Sequence, residues 1–155
     1  MDIHIGGVIP VKQVNKAQCW YASATMVYQY RGKPAPPMPQ GDAAAEGLWS
    51  FSAMEVLVST YGFTAIDKNT LKLPEFDAEF FGALLLSIEC PLVCMGEYQP
   101  GVRGAGHVVV VYRVTDNTVY YIDPFEPRTK EMSFDIFNGK LFKEMDPSCV
   151  MWLPK

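Results

Sequence analysis

Gln13-Val14-Asn15-Lys16-Ala17-Gln18-Cys19-Trp20 runs directly into an apolar, helix-compatible segment over residues 21–30. Cys19 therefore stands at the start of a helix, where the positive end of the helix dipole favours thiolate. Gln13, six residues upstream, carries a side-chain amide able to donate to a developing oxyanion. A cysteine in a helix is ordinarily a small core residue. The stretch gains a chemical meaning only where the rest of the chain supplies a base.

The chain has two histidines. His4 lies within residues 1–12, which read as an extended arm or short strand. His107 opens the strongest strand signal, residues 108–114, right after Gly101-Val102-Arg103-Gly104-Ala105-Gly106. Glycines there let backbone and substrate approach closely. They lead into a strand rather than a helix, which argues against a phosphate cradle. A histidine beside a cysteine can take its proton and create a nucleophilic pair. Asp123, at the end of the next strand in Tyr120-Tyr121-Ile122-Asp123-Pro124, is the candidate orienter of the imidazole.

Strand register decides whether Asp123 can serve. A two-residue loop, Asp116-Asn117, sets Val110 opposite Asp123 and puts Asp123 and His107 on opposite faces, because side chains alternate. A three-residue loop over 115–117 sets Val109 opposite Asp123. Both residues then share a face as diagonal neighbours, with roughly 7–8 Å between Cα atoms. A three-residue loop, or a bulge of the same parity, is therefore expected.

The helical signals come first. Residues 18–30 read as a helix with Cys19, Ala22, Met26 and Tyr30 on one side, ended by Arg31-Gly32-Lys33-Pro34. Residues 34–41 hold four prolines and form a loop. A short helical turn over 42–46 and helices over 53–61 and 77–87 follow, with a short strand at 63–66. From Pro91 onward the period changes, and residues 92–95, 108–114, 119–122, 129–133 and 150–153 read as strands. The near-continuous apolar run 108–111 marks a central strand buried on both faces. Residues 134–139 read as a helical turn. Helices first and strands after predict an α+β fold in one domain spanning 1–155.

Composition narrows the function classes. Apolar residues make up 49% of the chain and the net charge is −4, with no Lys/Arg run to serve as a nucleic-acid footprint. The apolar runs are far too short to span a bilayer. The N-terminus has neither a basic region nor a continuous apolar segment, so no cleavable signal peptide is expected. The protein is expected in the cytoplasm, or exported without such a signal. Four cysteines (Cys19, Cys90, Cys94 and Cys149) in a chain able to build its own core point to reduced thiols. Zinc is disfavoured by Pro91 within the Cys90–Cys94 spacing and by the scarcity of histidine.

Gln13-x5-Cys19-Trp20, Gly106-His107 followed by valines, and Tyr121-Ile122-Asp123-Pro124 together resemble the papain-like cysteine peptidases. The resemblance is closest to compact bacterial members that use Asp as the third residue: peptidase domains that mature bacteriocin leaders, and injected effector peptidases. It covers residues 8–125 and includes 54–61 and 84–96. The glycine often found before the family's cysteine is missing, since Val-Asn-Lys-Ala-Gln follows Gln13.

The resemblance implies a helical half carrying Cys19 and an antiparallel sheet carrying His107 and Asp123. Cys19 is then the nucleophile, His107 the acid–base and Asp123 the orienter. The Gln13 side chain and the Cys19 backbone N–H form the oxyanion hole, and no cofactor or metal is required. Trp49, Tyr98 and Gly106 are candidate cleft residues, with core packing the competing reading for the two aromatics. The expected substrate is a protein or peptide, and control by an inhibitory or immunity protein is an expected partnership. Two rivals keep the same residues: an amidase, deamidase or transglutaminase-like transferase, and a non-catalytic peptide-binding module.

Overall fold

The computed structural model describes residues 1–14, 18–38, 50–98 and 106–155, without the side chains of Ser50 and Phe51. The helical turn expected over 42–46 lies outside the described residues.

Helix α1 (Cys19–Tyr30) ends as its sequence directs. Gly32 takes φ +73°, and the N–H groups of Gly32 and Lys33 donate to the Gln29 and Tyr28 carbonyls at 3.0 and 2.9 Å, a Schellman closure. Helix α2 (Ser50–Ser59) is followed by Gly62 at φ +76°. A single turn, α3 (Lys68–Leu71), was not anticipated from the sequence. Its signal is Asp67, whose side chain accepts from the Asn69 N–H at 2.8 Å. Helix α4 (Ala78–Ile88) is capped by Asp77, which accepts from the Phe80 N–H at 2.9 Å. Helix α5 (Phe134–Lys140) is capped by Ser133, which accepts from the Ile136 N–H at 3.2 Å.

The strands are β1 (Asp2–His4), β2 (Thr64–Ala65), β3 (Leu92–Gly96), β4 (His107–Thr115), β5 (Thr118–Asp123), β6 (Arg128–Ser133) and β7 (Val150–Trp152). They form one antiparallel sheet in the order β2-β7-β3-β4-β5-β6, with β1 added along β4. The fold is mixed α+β, as expected. β4 is the central strand, and Val108, Val109, Val110 and Val111 are fully buried. That apolar run is the one that marked it as central in the sequence.

The β4–β5 hairpin has the two-residue loop, since Val114 pairs with Val119. Tyr112 then forms a β-bulge, and beyond it Val111 pairs with Tyr121 and Val110 with Ile122. Continuing that register places Val109 opposite Asp123, the parity that a three-residue loop would have given. The extra residue flips the alternation back.

Helices α1 and α4 both pack on β4. Trp20, fully buried, stacks on Tyr61 at 5.9 Å between ring centroids. Phe81 of α4 meets Phe134 and Phe137 of α5 at 5.8 and 6.0 Å. Arg31, just past α1, ties three chain ends together. Its Nε donates to the Leu153 carbonyl at 2.9 Å, and its terminal nitrogens donate to the Ile88 and Glu89 carbonyls at 3.3 and 3.4 Å. A cation there also complements the negative end of α4. All four cysteines are buried free thiols.

Candidate active site

Cys19 is the first residue of α1 and His107 the first of β4. The packing of α1 against β4 brings the two side chains into hydrogen-bonding contact. His107 Nε2 lies 2.6 Å from Asp123 Oδ1. Nδ1 is the ring nitrogen that remains for Cys19. The three side chains sit almost out of solvent, with Cys19 5%, His107 2% and Asp123 1% exposed.

Asp123 is held from three directions. Its Oδ1 also accepts the Phe125 N–H at 3.0 Å, a tight turn of the kind Asp favours before Pro. Its Oδ2 accepts from Lys130 Nζ at 2.9 Å. Gln13 is buried, and its backbone N–H donates to the Pro124 carbonyl at 2.9 Å. One bond therefore fastens the segment before Cys19 to the turn after Asp123. Gln18, directly before Cys19, is buried with its Nε2 3.9 Å from the Met38 sulfur.

Residues 6–142 match the family described as papain-like cysteine protease AvrRpt2. The match spans most of the chain and includes Gln13, Cys19, His107 and Asp123. The chain is a papain-like cysteine protease of that family. Among curated proteins, none matches it.

The protease thus acts on a protein substrate through thiol chemistry. Among its described residues no helix is long and apolar enough to cross a membrane, and no group of three or more His, Cys, Asp and Glu could hold a metal ion. Burial pushes the His107 imidazolium toward deprotonation. Hydrogen bonds with Asp123 and Cys19, together with their negative charges, outweigh this and lift its pKa to about 9. For Asp123 burial pushes up, while the His107 hydrogen bond and charge, Lys130 and the Phe125 N–H bring the carboxyl below its ordinary value. At neutral pH this geometry favours imidazolium beside carboxylate.

One expected cleft residue is corrected. Tyr98 is buried in the core of the protease, stacked on Phe137 at 4.7 Å with its hydroxyl donating to the Phe137 carbonyl at 3.0 Å. It offers no face to a substrate. Gly106, half-buried, directly precedes His107. Trp49 lies outside the described residues. Lys130 was missed because its role depends on a second hairpin. It pairs with Tyr121 across β5–β6, which makes it a diagonal neighbour of Asp123 on the same face. Fixing the register across Pro124–Pro127 would have found it.

Proposed function

We propose that Cys19, His107 and Asp123 form a catalytic triad that hydrolyses peptide bonds through a thioester. The observation that supports this reading is that the His107 ring engages both partners, with Nε2 2.6 Å from Asp123 Oδ1 and Cys19 in hydrogen-bonding contact with the same imidazole. The Cys19 thiolate attacks the scissile carbonyl carbon, a C–S bond forms, and the carbonyl electron pair moves to oxygen. The Gln13 side chain and the Cys19 backbone N–H stabilise that oxyanion. Collapse breaks the C–N bond, and His107 gives its proton to the departing amine. His107 then takes a proton from water, whose oxygen attacks the thioester. The second collapse releases the carboxyl product and restores the thiolate. Asp123 holds the ring in one tautomer and stabilises its charge.

The protease is read as a bacterial effector or toxin domain, or a processing enzyme, held in check by a partner protein. Its proposed place of action is the cytoplasm or, for an effector, a cell into which it is exported. The family description, papain-like cysteine protease AvrRpt2, is consistent with the effector reading. The test compares a bacterial and a eukaryotic cell extract incubated with the wild type and with Cys19→Ala. New protein termini seen by mass spectrometry only with the wild type support hydrolysis. Deamidated side chains or cross-links without new termini overturn it in favour of transfer chemistry.

A further inference from the structure

A carboxylate as buried as Asp123 is costly unless its charge is matched. In the resting state His107 matches it. During turnover His107 gives up its proton, and Asp123 would then face a neutral ring. The second cation is already in place. Lys130 Nζ lies 2.9 Å from Oδ2, and its side chain is largely covered, at 18% exposure. Oδ1 faces His107 and Oδ2 faces Lys130, so the carboxylate cannot rotate without losing one of them. We propose that Lys130 is a positioning residue of the active site, keeping Asp123 ionised and aimed at His107 Nε2 through both halves of the reaction. This rests on the triad reading given above.

The charged and titratable groups around Asp123 come from every element packed against it. They are His107 of β4 with Cys19 of α1 beyond it, Tyr121 of β5, and Lys130 of β6. Glu126 of the connecting turn lies 3.8 Å from Lys130 and is itself paired with Arg128 at 2.7 Å. Removing the Lys130 cation disfavours carboxylate at Asp123 and leaves that side chain free to turn away from His107 Nε2. The loss of this contact partner acts against the imidazolium and outweighs the weaker repulsion that the more distant ammonium exerts on the ring, so the His107–Cys19 pair works less well at mildly acid pH.

The test is the rate of Cys19 alkylation by iodoacetamide against pH, which requires no knowledge of the natural substrate. It compares the wild type with Lys130→Met, Lys130→Gln, Lys130→Arg, Asp123→Asn and the double variant Asp123→Asn/Lys130→Met. Lys130→Met is expected to slow labelling by roughly five- to tenfold near pH 6. It should converge with the wild type near pH 9, where an ordinary thiol ionises unaided. Lys130→Arg restores the rate, and Lys130→Gln covers the case in which the methionine variant folds poorly. On an Asp123→Asn background, Lys130→Met changes nothing further, because Lys130 acts through Asp123. A wild-type profile for both Lys130→Met and Lys130→Gln, or a full further loss in the double variant, overturns the proposal. A wild-type profile for Asp123→Asn is a separate result that overturns the triad itself.

Discussion

Three donors converge on Asp123: an imidazole, an ammonium and a backbone N–H. Their effect on His107 sets the pH behaviour. His107 is held protonated up to about 9, so its imidazolium is lost as pH rises through that value, and with the proposed role of His107 alkaline inactivation is expected there. The same shift has a stability side. A histidine raised above its ordinary 6.5 contributes stability fully present below 6.5 and lost as pH climbs through about 9. Asp123, shifted down, contributes stability above its ordinary value that is lost as pH falls through its folded-state value. Asp123→Asn keeps a hydrogen-bond acceptor but removes the charge. It should lower turnover by roughly 10²-fold and move the alkaline limb to lower pH, read from the NMR titration of the His107 ring and from the pH–rate profile. Gln13→Ala should cost roughly 10²–10³-fold in rate with the His107 titration unchanged. A moved titration would place Gln13 in the support of the ring instead of the oxyanion hole.

At the scale of elements, the β4–β5 hairpin is where sequence reasoning went furthest and then stopped. The strands, their centrality and the required parity all follow from alternation and from the apolar run at 108–111. The means of achieving that parity does not. Thr115-Asp116-Asn117-Thr118 suits either loop length, and the Tyr112 bulge answers a long-range demand that no local pattern states. Helix caps at Asp77 and Ser133 follow local rules and were readable or nearly so. Gly96 carries a different constraint. It pairs with His107 across β3–β4, and a Cβ there would overlap the Lys140 carbonyl and the Tyr98 ring. Gly96→Ala should therefore destabilise the protein by about 1–3 kcal/mol in urea unfolding. An unchanged midpoint would show that the α5 end yields easily.

At the scale of the whole molecule, the site exists because a helix from the first quarter of the chain and a hairpin from the last half share one core. The order of helices before strands predicted the α+β fold, and the family resemblance implied that the site would be divided between the two halves. The Arg31 clamp that joins the ends of α1, α4 and the segment after β7 was invisible, since its acceptors are backbone carbonyls 57 to 122 residues away. Arg31→Met should cost about 1–3 kcal/mol of stability while leaving Cys19 labelling at its wild-type rate in the folded protein. Denaturation and labelling of the same sample check both halves of that expectation. The thiols themselves offer the sharpest comparison. Burial raises the Cys90 and Cys94 thiols above their ordinary value and pushes Cys149 up to about 12. None of these three has an imidazole partner among the described contacts. Iodoacetamide near neutral pH, followed by peptide mapping of all four cysteines, is therefore the most direct measurement of a Cys19–His107 nucleophilic pair. Rapid modification at Cys19 alone, slowed markedly in His107→Ala, is the predicted result. Modification of Cys19 no faster than that of Cys149, or a rate indifferent to His107, would contradict it.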